Sequence, residues 1–153
     1  MKKLFFFLLS FSLLIGSDLC NLFPESIKNF HAIGKCQYTN INLNNQSIKE
    51  AHKVYKNGNK EIILQLIEGP MALVQINAID SVISVETNDF IAKKLEAQGF
   101  KSLFNYNKVD NGGNVIVVLN EKKPRVLLIN YINISFDEIV KIVKNDLELD
   151  RFK

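Results

Sequence analysis

The sequence predicts an α+β domain in which an antiparallel sheet of about five to six strands packs against helices. Residues 115–119 and 126–132 are continuous apolar runs, which is typical of central strands covered on both faces. Residues 135–147 predict a C-terminal helix, because Ser135 and Glu138 form a capping box at its start. The apolar residues of this helix recur at spacings of three and four, so we expect one face of it to lie on the sheet.

The first 17 residues have the pattern of a secretory signal peptide, and the folded domain is expected over residues 18–153. Lys2 and Lys3 give a positive start, residues 4–15 are apolar or small, and Gly16 and Ser17 supply small residues before the expected cleavage point. The alternative is a membrane anchor, but a spanning helix needs about 20 apolar residues. We therefore expect an exported protein, periplasmic or secreted, with no membrane span after cleavage.

The segment between residues 18 and 43 is expected to begin the domain with an arm and a strand. Residues 18–32 suit an arm or a short helix. Residues 33–43 predict a strand, because Tyr38, Thr39 and Ile41 are β-branched or aromatic residues that suit a half-buried sheet.

Residues 47–57 allow two interpretations, a helix or a strand. A capping box at residues 47–50 favours a helix. Asn57-Gly58 lies between two strand-like runs and favours a two-residue hairpin turn. We prefer the hairpin, because residues 61–67 after it have a clear strand pattern.

The second half of the chain is expected to contain two helices before the last strands. Pro70 is well placed as the first residue of a helix that continues to residue 78. Thr87 and Asn88 can cap a helix over residues 89–98, which Gly99 would end. The remaining segments are predicted as strands, namely residues 82–85, 103–107, 115–119 and 126–132.

The stretch from Phe104 through Gly112-Gly113 to Ile142 resembles the end of PsbP/Mog1-like domains. In those domains the last strands of an antiparallel sheet lead into a terminal helix, and the earlier hairpin and the Pro70 helix follow a similar order. The resemblance implies a fold only. Members of the family do unrelated things, so no functional residue is carried over from it.

The charge of the chain does not indicate a nucleic-acid partner. The chain has 19 Lys and Arg against 16 Asp and Glu, and two of the lysines lie in the predicted leader. The mature domain is therefore almost neutral, and it has no basic stripe with interleaved aromatic residues.

Cys20 and Cys36 are the two cysteines of the chain. In an exported protein an even number suggests a disulfide, here between Cys20 and Cys36. The alternative is a pair of reduced thiols, which together with His31 could ligate Zn²⁺ or Cu⁺. The spacing of these three residues matches no known set of metal ligands, so no metal and no cofactor is expected.

The sequence contains no familiar catalytic motif. The G-x-S-x-G, H-E-x-x-H, P-loop and C-x-x-C patterns are all missing. A small hydrolase would need a cleft that gathers His31 or His52 with a carboxylate and a hydroxyl group. The predicted function is an exported, non-enzymatic module that binds a protein or a small ligand. The alternatives are a metal- or cofactor-binding protein that uses His31, Cys20 and Cys36, and the small hydrolase.

Overall fold

The computed structural model describes residues 17–153, so the predicted leader lies outside the described residues apart from the backbone of Ser17. Strands account for 53% of the described chain and helices for 22%. The elements in chain order are α1 (Ser17–Cys20), β1 (Ser26–Ile27), β2 (Phe30–Leu43), β3 (Gln46–Asn57), β4 (Lys60–Glu68), α2 (Pro70–Ser81), β5 (Val85–Glu86), β6 (Phe90–Ala97), β7 (Phe100–Asn107), β8 (Gly112–Asn120), β9 (Arg125–Ile132), α3 (Phe136–Lys141), a π-helical turn (Ile142–Asp146) and a 3-10 turn (Leu149–Phe152).

All nine strands form one antiparallel sheet in the order β1-β2-β3-β4-β9-β8-β7-β6-β5. The sheet consists of two meanders, β1 to β4 and β5 to β9, in which each strand pairs with the next along the chain. The meanders are joined by β4 and β9, where Glu68 lies opposite Arg125 and Glu61 lies opposite Ile132. Helix α2 leads from the end of β4 to β5 at the far edge.

The predicted fold class is wrong in its proportions. A sheet of nine strands with short helices is more β-rich than the expected α+β domain of five to six strands.

The largest error is the helix predicted over residues 89–98, which forms β6. Thr87 Oγ1 accepts hydrogen bonds from the backbone N–H groups of Asp89 and Phe90, as an N-cap does. The N–H of Thr87 also donates to the carbonyl of Phe90 at 2.8 Å, which closes a tight turn instead. Gln98 and Gly99 both have positive φ and form a hairpin turn between β6 and β7. A helix end and a hairpin turn therefore share the same local signals.

The ambiguous residues 47–57 belong to strand β3, so the hairpin interpretation is confirmed. The loop that follows is Gly58-Asn59, one residue further along than the predicted turn. In the C-terminal segment, the side chain of Ser135 accepts a hydrogen bond from the N–H of Glu138. The segment predicted as one helix over 135–147 consists of α3 followed by the π-helical turn, which ends at Asp146.

Each face of the sheet carries its own hydrophobic core. One face, called here the arm face, is covered by the N-terminal arm (residues 18–30) and by the C-terminal helical segment. The other, the α2 face, is covered in part by Ala72, Ile76 and Ile79 of α2. Because both faces of β8 are buried, residues 115–119 are apolar without alternation. The prediction of central strands in the last third of the chain is confirmed.

The predicted disulfide joins Cys20 at the end of α1 to Cys36 in β2, with the two Cα atoms 5.6 Å apart. It ties the arm to the first long strand of the sheet. The arm also buries four apolar side chains in the core of the arm face, namely Leu19, Phe23, Ile27 and Phe30. A disulfide is compatible with a secreted protein.

Candidate functional site

The residues considered for a metal site do not form one in this structure. Cys20 and Cys36 are consumed by their disulfide, so neither offers a thiolate. His31 lies exposed on β2, opposite Lys56. Between residues 17 and 153 no group of three or more His, Cys, Asp or Glu side chains is placed to hold a metal ion.

The two histidines are also not gathered into a hydrolytic site. His52 is partly exposed on β3, and its Nδ1 lies 3.9 Å from Oε1 of Glu50. That carboxylate oxygen accepts a hydrogen bond of 2.8 Å from Gln65 Nε2. Within the described residues no hydroxyl group is hydrogen-bonded to either histidine, and neither histidine lines the cleft described next.

A cleft of about 470 Å³ opens at the end of the sheet where β4 ends and β9 begins. Its volume lies within the range of small-molecule sites. Four of its lining residues are cationic and one is anionic. The lining residues are Ser47, Lys49, Glu68, Gly69, Asn120, Lys123, Pro124, Arg125 and Lys153.

Strand register brings three of the charged residues together. Lys49 lies opposite Glu68, and Glu68 lies opposite Arg125, on the neighbouring strands β3, β4 and β9. Side chains alternate between the two faces along each strand. These three residues therefore share the arm face with Ala51 and Leu127, which are two positions away in their strands.

The guanidinium group of Arg125 is already engaged by other residues of the protein. Its Nη2 pairs with Oε1 of Glu68. Its Nη1 donates to the main-chain oxygens of Phe152 and Lys153, each at 3.0 Å. The guanidinium group therefore holds the C-terminal segment against the sheet and brings Lys153 to the cleft.

The remaining cations of the cleft are Lys49, Lys123 and Lys153, and none of them forms an ion pair with any residue from 17 to 153. Lys123 is placed by the turn between β8 and β9. There, Oδ1 of Asn120 accepts hydrogen bonds from the backbone N–H groups of Lys122 and Lys123, each at 3.0 Å. The cleft is thus lined by three lysines that form no ion pair within the described residues, and the ammonium group of Lys153 lies 6.0 Å from the centre of the Phe100 ring.

Gly69, just before α2, contacts both β3 and the turn between β8 and β9. Its φ is +94°, and a Cβ added there would lie 2.4 Å from the carbonyl oxygen of Ser47. Its N–H donates to the carbonyl of Pro124 at 3.0 Å. Only glycine combines this backbone conformation with so close an approach, so α2, β3 and the β8–β9 turn meet at one residue.

The arrangement is suited to binding an anion. Ammonium groups form strong, charge-assisted hydrogen bonds with carboxylate or phosphate oxygens, and Asn120 adds a neutral polar side chain beside them. The hydroxyl of Ser47 donates to Oδ1 of Asn40 at 3.0 Å. The one side-chain carboxylate of the lining, that of Glu68, pairs with Arg125, so it is not free to serve as a general base.

The sequence does not reveal this site, because its cations come from three separate parts of the chain, at position 49, at positions 123 and 125, and at position 153. Lys123 stands in the sequence only as part of a lysine pair with Lys122, a pattern that is common on any surface. The convergence depends on the pairing of β4 with β9, which no local pattern encodes.

No protein-family model, no curated protein and no solved structure matches the chain. The resemblance to PsbP/Mog1-like domains therefore stays a prediction. In the part of the chain that the structure describes, no helix is long and apolar enough to cross a membrane.

Proposed function

We propose that the protein is an exported, non-enzymatic binding module that holds a small anionic ligand in the cleft at the end of its sheet. One observation carries this proposal. Lys49, Lys123 and Lys153 line the same cleft, and no side-chain carboxylate of the described residues forms an ion pair with them. A concave site with an excess of charge of one sign concentrates ligands of the opposite sign.

Binding is favoured over catalysis by the way the lining residues are used. The Glu68 carboxylate pairs with the Arg125 guanidinium. The same guanidinium also donates hydrogen bonds to the main chain of the C-terminal segment. What remains for a ligand is a set of positive charges and neutral polar groups, which can recognise an anion but supply no base–nucleophile pair.

Export to the periplasm of a Gram-negative cell is proposed from two features. The first 17 residues have the layout of a signal peptide, and the Cys20–Cys36 disulfide suits an oxidising compartment. The ligand would then be a small anion or an anionic group of a larger molecule in that compartment. Mass spectrometry of the exported protein tests this proposal, because cleavage after Ser17 leaves a chain that begins at Asp18.

The binding proposal is tested by calorimetric titration of the protein with inorganic phosphate and with citrate at constant ionic strength. The site variant is Lys49→Gln/Lys123→Gln. The control variant, Lys35→Gln/Lys141→Gln, removes the same charge from two exposed lysines outside the cleft. We expect the site variant to lose about tenfold or more in affinity, because one charge-assisted hydrogen bond contributes about 1.5–3 kcal/mol.

The control variant should bind like the wild-type protein. An equal loss in both variants would mean that only overall charge matters, and the cleft would not be the site. Absence of binding to either anion by the wild-type protein would count against an anion site of this kind.

A further inference from the structure

The β2–β3 hairpin projects beyond the rest of the sheet beside the cleft. Pairing of β3 with β4 begins at Lys49 and Glu68, so residues 41–48 have no neighbour in β4. Within this projection β2 and β3 continue to pair with each other, from Ile41 opposite Ile48 to Leu43 opposite Gln46. The hairpin tip is therefore a regular extension of two strands and not a loose loop.

The two sides of this projection differ in character. Ser47 and Lys49 point to the arm face and line the cleft. Alternation along β2 places Ile41 and Leu43 on the opposite side, the α2 face, because Tyr38 packs on the arm face. These two side chains are 45% and 57% exposed, although both are large and apolar.

Helix α2 adds further exposed apolar residues at the same end of the sheet. It begins against the hairpin, where Gly69 meets the carbonyl of Ser47. In its first two turns, Met71 and Val74 are 47% and 58% exposed, whereas Ala72 and Ile76 are buried against the sheet. The exposed apolar residues of the hairpin tip and of the first two helical turns are called here the apolar rim, namely Ile41, Leu43, Met71, Leu73 and Val74.

We propose that the cleft and the apolar rim together bind the surface of an anionic phospholipid bilayer. The lipid phosphate would lie among Lys49, Lys123 and Lys153, and the apolar rim would enter the boundary between headgroups and acyl chains. This inference rests on the proposed function, because it identifies the anion of the cleft as a lipid headgroup.

Charge and polarity together favour a bilayer over other occupants. A free anion would use the lysines but leave the apolar rim in water. A second copy packed on the apolar rim would bury those side chains but would leave the lysines on the arm face without an anionic partner. An anionic bilayer offers both a negative surface, which attracts lysines, and an apolar layer beneath it.

The test is a flotation assay with vesicles of phosphatidylcholine alone and with about one third phosphatidylglycerol, a content that makes the surface strongly anionic. The rim variant is Leu43→Ser/Val74→Ser. Its matched control is Ile83→Ser/Val109→Ser, which changes two exposed apolar residues outside the apolar rim. The cleft variant is Lys49→Gln/Lys123→Gln. All proteins are prepared identically, so any contribution of residues 1–17 is common to them.

We expect the wild-type protein and the Ile83/Val109 control to bind the anionic vesicles and to bind phosphatidylcholine at least tenfold more weakly. The rim variant should lose about tenfold in vesicle binding while keeping its affinity for soluble phosphate. The cleft variant should lose both. All the substituted side chains are at least partly exposed, and thermal unfolding of each variant verifies that the fold is kept.

Several results would overturn the inference. Binding of soluble phosphate without vesicle binding would refute it and leave the proposed function intact, whereas failure of both would refute both. Equal binding to the two kinds of vesicle would remove the role of the headgroup. A dimer in sedimentation equilibrium that the rim variant disperses, without vesicle binding, would assign the apolar rim to a second copy.

Discussion

At the scale of single residues, Gly113 shows how one position can fix the packing of three strands. It lies in β8 between Tyr106 of β7 and Tyr131 of β9, whose rings are stacked with centroids 6.5 Å apart. The hydroxyl of Tyr131 donates to the carbonyl of Asn105 at 2.7 Å. A Cβ at position 113 would lie 2.1 Å from that same carbonyl oxygen, so the absent side chain leaves room for the hydrogen bond.

We predict that Gly113→Ala lowers the free energy of unfolding by about 2 kcal/mol or more, which is typical of overpacking against a rigid neighbour. Urea unfolding followed by circular dichroism measures the change. The comparison variant is Gly58→Asn, at a turn where a Cβ meets nothing and asparagine tolerates the positive φ. Gly58→Asn should cost less than about 1 kcal/mol. Similar costs for both variants would contradict the steric argument.

The buried tyrosines predict a loss of stability at alkaline pH. Burial, followed by the nearby charge of Glu25, raises the pKa of Tyr55, and burial raises the pKa of Tyr131. The folded state therefore favours the neutral phenol. This contribution is fully present below the unfolded pKa of about 10 and is lost as pH rises from there through the folded pKa.

Urea midpoints measured between pH 8 and 11, on either side of the usual tyrosine pKa of about 10, test this prediction. Tyr55→Phe should be less stable than the wild-type protein at pH 8, because the hydroxyl donates to the carbonyl of Pro24 at 2.7 Å. Its midpoint should then fall less steeply with pH. Tyr38→Phe, at a partly exposed position, is the control and should follow the wild-type slope. Equal slopes for all three proteins would refute the assignment.

At the scale of elements, the comparison of β6 with β8 explains where sequence patterns succeed. Residues 115–119 are apolar on both faces of the sheet. A short continuous apolar run is typical of a strand that is buried on both faces, so this strand was predictable. Residues 90–97 alternate weakly, and their Thr87 and Gly99 boundaries also fit a helix. These residues form a strand instead of a helix because β6 pairs with β7, and local sequence patterns do not show this pairing.

The arm and its disulfide give a prediction at the same scale. Cys20 and Cys36 are separated by 16 positions, so the cross-link should stabilise the folded state by about 3 kcal/mol through loop-closure entropy. The variant Cys20→Ser/Cys36→Ser should unfold at a correspondingly lower urea concentration. Reductant should lower the midpoint of the wild-type protein and leave that of the variant unchanged. An unchanged wild-type midpoint in reductant would show that the buried arm residues hold the arm without the bond.

At the scale of the whole molecule, the sheet should be most stable at its centre. Strands β4, β9 and β8 are the three middle strands of the nine, and β8 and β9 contribute buried side chains to both cores. We predict that hydrogen exchange, followed by mass spectrometry, is slowest in these three strands and fastest in β5 and the hairpin tip at residues 41–48. In the free protein, exchange at the tip as slow as in β8 would contradict this order. In the presence of anionic vesicles, slow exchange at the tip would indicate that the vesicles bind there.

The candidate site depends on contacts between distant parts of the chain, so local sequence patterns do not predict it. Lys49, Arg125 and Lys153 come together only when the two meanders join and the C-terminal segment returns to the sheet. The disulfide was predictable because its prediction needs only two cysteines in a chain whose first residues have a signal-peptide pattern. The cleft requires a register between strands that are far apart in sequence, and hydrophobic patterning leaves that register open.

The joining of β4 to β9 also sets the order in which the chain can fold. Each meander pairs segments that are neighbours in the chain. The free edge of β4, however, pairs with β9, which is the last strand of the second meander. Until β9 is in place, the first meander presents an apolar strand edge to other unfinished chains. Non-local pairing of this kind slows folding. The protein should therefore refold slowly, aggregate in proportion to its concentration, and benefit from a chaperone that shields residues 60–68 until the second half of the sheet is complete.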